Sequence, residues 1–193
     1  MAADGTLVAS TVVSGTEEIP SVRVAWSEPR RTPLDSMTTP RLFDDGLGGV
    51  HAFWLQLPTR ETGTDTEVSG WPLMYSRLGA DRASWTPPAS LAGYALKFDI
   101  TADLSGTLHL AYMQTEPTAY APPGVYYRRL GRQDPGWRPP ALVRESRYVR
   151  LLDDQTAHLR VAAAAEGDVY ITWDEPQLGA SLLTYSPDGG TTW

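Results

Sequence analysis

Short apolar runs recur along this chain, each opened by a glycine. Gly5 to Ala9, Gly49 to Trp54, Gly106 to Tyr112 and Gly167 to Trp173 are rich in β-branched and aromatic residues and have strand length. Their opening glycines stand 44, 57 and 61 residues apart. A second run follows each: Val22 to Ser27, Leu73 to Ser76, Val125 to Arg128 and Leu182 to Ser186. The last three lead to a tryptophan: Trp85, Trp137 and Trp193. A third run, Pro40 to Phe43, Leu96 to Ile100 or Leu159 to Ala163, precedes the glycine. Val161 to Ala165 has helical propensity, but its place in the repeat predicts a strand.

Asp44 to Gly49, Asp103 to Gly106, and Glu166-Gly167-Asp168 hold residues that accept positive φ or bond their own backbone, so they read as tight turns. Leu108 to Met113 is mostly apolar on both sides, which suits a sheet covered on both faces. Four strands per repeat, stacked face to face, make an all-β β-propeller with long loops. The repeats divide the chain into blades at 1–38, 39–95, 96–157 and 158–193, all within a single partial propeller domain.

Composition narrows the function classes. The net charge of −7 argues against nucleic acid, and Lys97 is the only lysine. There is no cysteine, so neither a disulfide nor a thiolate metal site forms. No apolar stretch approaches membrane-span length, and Met1 to Ser10 lacks the basic start and apolar centre of a signal peptide. No phosphate loop or nucleophile elbow is present, so no cofactor is expected.

Ser186-Pro187-Asp188-Gly189-Gly190-Thr191-Thr192-Trp193 carries Ser-x-Asp-x-Gly-x-Thr-Trp at every fixed position. In this motif the chain resembles the Asp-box (BNR) repeats of sialidases and related propellers. Tyr75 to Trp85 and Tyr127 to Trp137 read as worn copies, the first keeping Ser76 and Trp85 and the second the frame, from Tyr127 and Arg128 on, with Gly136 beside Trp137. The resemblance implies a structural box: Asp188 caps backbone N–H groups, Gly190 supplies positive φ, and Trp193 folds under the turn. Ser186 and Thr192 complete it, on the face away from the ligand. It also implies about six or seven blades in a complete ring, of which roughly three to four lie here. Extracellular or cell-envelope bacterial placement is a further implication.

Sialidases of this kind use an arginine triad, a Tyr nucleophile assisted by Glu, and an Asp acid/base. Their Phe/Tyr-Arg-Ile-Pro motif is absent; Ser21 to Ala25 comes nearest and reads as a plain strand. No catalytic residue is carried over. The ligand face is expected where strand-two-to-three loops and interblade segments meet, and its candidates are Glu61, Glu116, Tyr120, Arg147, Tyr148, Asp174 and Glu175. Trp71 and Tyr94 are also expected in loops, where aromatics stack on sugars. Glu116-Pro117 and Glu175-Pro176 read as equivalent strand ends with acids facing water. His51 and His109 share one slot, with Tyr170 in the next repeat, so packing is expected there rather than metal binding.

The expected function is therefore a non-catalytic propeller segment binding carbohydrate or protein. The alternative is part of a sialidase-like exo-glycosidase whose catalytic residues lie mostly outside this span. An open arc of blades exposes strand edges and an apolar face. The expected partners for these are the remaining blades of a longer chain or a second copy.

Overall fold

The runs pair with their chain neighbours, as antiparallel strands joined by turns do. The computed structural model describes residues 40–56, 70–165 and 167–193, all within one compact unit. The first expected blade, 1–38, lies outside the described residues. Seven strands form one sheet in sequence order: β1 (Arg41–Asp44), β2 (Val50–Leu55), β3 (Trp71–Arg77), β4 (Ala89–Ala102), β5 (Leu108–Gln114), β6 (Gly124–Leu130) and β7 (Ala141–Glu145). A second, three-stranded sheet comprises β8 (Leu159–Ala163), β9 (Val169–Glu175) and β10 (Ala180–Ser186), with β9 central. Val161 lies in a strand, as its place in the repeat predicts.

The sequence pattern expects separate four-stranded units, whereas β4 runs unbroken for 14 residues. Its first half pairs with β3 and its second half with β5, with irregular pairing around Ala95. The repeat boundary drawn at 95/96 falls at that switch. No closed ring of sheets is present among the described residues. Trp71 and Tyr94, expected in loops, lie in β3 and β4.

Every residue of β5 is buried. The reason is its place between two apolar clusters, which take alternate side chains. Leu108, Leu110 and Tyr112 join Phe53, Leu73 and Tyr126. Ala111 and Met113 join Val125, Leu159, Ile171 and Trp173. The strand that precedes each repeat's glycine also ties the repeats together. Buried Asp99 on β4 pairs with Arg41 on β1 and accepts the backbone N–H of Val161 on β8 at 3.0 Å.

The Ser186–Trp193 turn closes on Asp188. One carboxylate oxygen accepts the N–H groups of Thr191 and Thr192 at 3.0 and 2.8 Å and the Ser186 hydroxyl at 2.7 Å. These bonds, that of Thr192 first, hold Asp188 at about 2. Trp193 packs edge-on against Tyr127 of the preceding repeat, with centroids 4.9 Å apart. Trp137 does the same to Tyr75 one repeat earlier, at 5.4 Å. Both indole N–H groups are buried without a partner, so packing rather than hydrogen bonding holds the rings.

Strand register corrects the alignment of the worn copies. Ser186 pairs with Val169, and its counterparts by register are Leu78 and Leu130, not Ser76 and Arg128. Tyr75 and Tyr127 therefore correspond to Leu183 rather than Tyr185. On this register each turn spans eight residues to its Trp. The acid keeps its work while shifting position. Asp81 accepts Ala83 N–H, Ser84 N–H and the Ser84 hydroxyl, and is held at about 2 chiefly by the bond from Ala83.

Candidate functional site

Ser146 organises the junction between the two sheets. Its hydroxyl accepts the Tyr148 N–H at 3.3 Å, starting the 3-10 turn Arg147–Leu151 after β7. The same hydroxyl donates to Glu175 Oε1 at 2.9 Å, at the end of β9. The turn is thereby fixed against the second sheet, and Arg147 and Tyr148 stand between the sheets' ends. Tyr148 stays half-exposed, a platform with an apolar face and a polar tip.

Two adjoining grooves share Glu145, Arg147 and Tyr148. One, about 630 Å³, continues past Glu116, Pro123 and Arg150. There Arg150 pairs with Glu116 at 3.2 Å, an exposed contact worth little to stability. The other, about 590 Å³, is floored by Ser146, Glu175 and Leu178. Glu175 is only 5% exposed although it lines this groove. The acid expected to face water is instead sunk between the sheets. By register its counterpart is buried Gln114, and Glu116 lies two residues further on, so the two Glu-Pro pairs are not equivalent.

The arrangement offers a guanidinium, carboxylates and a phenol ring around an open cleft. That set can bind a polar, hydroxyl-bearing ligand through hydrogen bonds and ring stacking. Of the residues singled out in the sequence, Glu116, Arg147, Tyr148 and Glu175 come together here. Tyr120 does not: it is 98% exposed at the tip of the β5–β6 loop and lines neither groove. Asp174 points the opposite way from Glu175 along β9 and bonds His158 and Ser181. The Ser181 hydroxyl, with help from His158, holds its carboxyl below the usual range. Glu61 lies outside the described residues. Ser146 and Leu178 were not singled out, since a small alcohol and a loop leucine carry no chemistry in isolation. Ser146 directly before an Arg-Tyr pair is a capping signal that could have found it.

His51 and His109 occupy a repeated buried arrangement. His109 Nδ1 lies 2.7 Å from the Tyr127 hydroxyl and Nε2 3.2 Å from Asp103. His51 bridges Tyr75 and Asp45 in the same way, at 3.0 and 3.5 Å. Desolvation is the largest influence on both imidazoles and lowers their pKa. Among the described residues no group of three or more His, Asp or Glu is placed to hold a metal ion. Among them, too, no helix is long and apolar enough to cross a membrane. The Ser186–Trp193 turn lies at the far end of β10 from the grooves, about 20 Å away along the strand.

No protein-family profile matches the sequence, and no curated protein matches it. Among solved structures, the chain is similar to one titled "Hadza microbial sialidase Hz136", with 18% sequence identity and a TM-score of 0.48. The likeness covers 80% of this chain and 32% of that one, so the chain spans about a third of that structure's length.

Proposed function

We propose that this chain is a non-catalytic, sialidase-like propeller segment that binds carbohydrate through the paired grooves around Tyr148. The observation that carries this reading is one half-exposed ring lining the same groove as Arg147 and a sunken Glu175, in clefts of ligand size. Tyr148 stacks on a sugar face. Arg147 and Glu175 donate to and accept from ring hydroxyls. The Asp188 turn, at the other end of the strands, acts on stability alone. The Asp-box motif supports an exported protein, extracellular or in the cell envelope. The remaining blades of a longer chain, or a second copy, cover its open sheet.

A glycan array probed with the full chain tests this. Binding should appear, and Tyr148→Ala and Arg147→Ala should each weaken it by about tenfold. Wild-type levels in both variants would overturn the assignment. Chromogenic exo-glycosidase substrates should remain uncleaved. Turnover lost in Glu175→Gln would establish hydrolysis instead, because Glu145 and Glu175 share one groove and paired carboxylates are what that chemistry uses.

A further inference from the structure

Among the described residues two acidic side chains are buried, and only one has a cation beside it. Asp99, 4% exposed, holds Arg41 and the Val161 N–H. Glu175, 5% exposed, pairs with no Arg, Lys or His among the described residues. Arg144 and Arg147 line its groove without pairing with it. Its side chain has one bond, from the Ser146 hydroxyl to Oε1 at 2.9 Å. A buried acid left without a counter-charge is costly, and such departures concentrate at functional sites.

The second oxygen is open to a ligand. Among the described residues, the side-chain polar atoms sealed inside without a partner are four tryptophan N–H groups. Glu175 Oε2 is not one of them, so it opens into the groove beside Tyr148. Strand alternation also sets which way it opens. Leu183 and Tyr185 stand on the outer face of β10, across from Thr172 and Tyr170. Glu175 leaves β9 on the same side as buried Trp173 and reaches Ser146, after β7 of the first sheet. A blade or second copy on the outer face therefore leaves Oε2 uncovered.

We propose, on the reading of the Tyr148 grooves as a carbohydrate site, that Glu175 takes a free amine in place of one ring hydroxyl, so that the ligand is an unacetylated amino sugar. The pairing does not depend on where the proton starts. A carboxylate meets an ammonium, and a carboxyl group passes its proton to a neutral amine; both routes end in one ammonium–carboxylate pair. A hydroxyl at the same place gives a bond without a counter-charge, and an acetyl group on the nitrogen removes the charge. The chain's net charge of −7 attracts a cationic ligand as well.

The test is calorimetric titration of the full chain with three β-1,4-linked disaccharides that differ only at C2: those of glucosamine, N-acetylglucosamine and glucose. The glucosamine disaccharide should bind about tenfold more tightly than the other two. Glu175→Gln keeps the shape and removes the acid, and it should bring the three affinities together. Asp154→Asn removes one exposed acid outside the grooves and should leave the preference intact, which separates local pairing from attraction to the acidic chain as a whole. Melting midpoints report whether the variants fold, and the wild-type comparison needs neither of them. Equal affinities, still weakened by Tyr148→Ala, overturn the amine and leave the carbohydrate reading in place. A preference that survives Glu175→Gln overturns the assignment to Glu175. Binding of none of the three overturns the amine too, and the glycan array then decides the carbohydrate reading.

Discussion

At Gly190 two constraints coincide. Its φ is +85°, and a Cβ placed there would stand 2.1 Å from the Tyr127 ring. Alanine must therefore adopt a disfavoured conformation and also displace a packed aromatic. Gly190→Ala should cost about 2–4 kcal/mol in a denaturant titration; a loss below the error of that method would show that the turn does not sit against Tyr127. Asp188 is exposed, and its effect is better read as a pH window. Its folded-state pKa of about 2 lies below the ordinary 3.8. Its contribution is therefore complete above 3.8 and disappears as pH falls through about 2. Asp188→Ala should lower the melting temperature at pH 7 and flatten the acid limb of stability against pH. The buried imidazoles act in a different window. The folded pKa values of His51 and His109 lie below 6.5, so unfolding takes up protons and stability falls as pH drops below 6.5. Melting curves should show that slope, and His109→Gln should reduce it.

The elements depend on a few contacts between strands distant in sequence. Tyr127 is 2% exposed and donates to the Gly189 carbonyl at 3.1 Å, beside an Arg129 bond to the same oxygen at 2.9 Å. Tyr127→Phe keeps the ring under Trp193 and removes the hydroxyl that His109 also contacts. A loss of about 1–2 kcal/mol follows from the missing bonds. Asp99 has the larger role because it joins β1, β4 and β8. Asp99→Ala leaves the Val161 N–H buried and unpaired and the Arg41 guanidinium without its partner. The cost should be about 2–4 kcal/mol by chemical denaturation. If the loss stays near 0.5 kcal/mol, the size of an ordinary surface change, the two sheets are not coupled through this residue.

At the scale of the molecule, the outer face of β10 is the conspicuous surface. Leu183 is 69% exposed at the register position where Tyr127 lies under Trp193 one repeat earlier. Tyr185 and Leu178 are exposed nearby. A surface of this composition favours burial, which supports the proposal that further blades or a second copy cover it. Sedimentation of the 193-residue chain should show concentration-dependent association that Leu183→Glu reduces. A monomer at every concentration would count against a second copy in that place.

The chain's own pattern of glycines, apolar runs and tryptophans determined that it is mostly β, that the runs from Val50 to Ser186 are strands, and which turn Asp188 closes, but not that Trp71 and Tyr94 also lie in strands. Those features depend on local conformation and on periods a few residues long, which sequence records directly. The Asp188 cap needs only residues 186 to 192. Tertiary structure decided the rest. The register of Leu183 with Tyr127, the continuity of β4 and the seat of Trp193 on the preceding repeat depend on pairing across tens of residues. A two-residue slip in alignment, as between Ser76 and Ser186, preserves the side-chain alternation and so leaves no trace in the pattern. The sites depend most of all on assembly. Glu175 and Asp174 are adjacent in sequence, yet strand alternation sends one into the Tyr148 groove and the other to His158. Their neighbours there come from segments 7 to 29 residues away, and only the packed sheets bring those segments together.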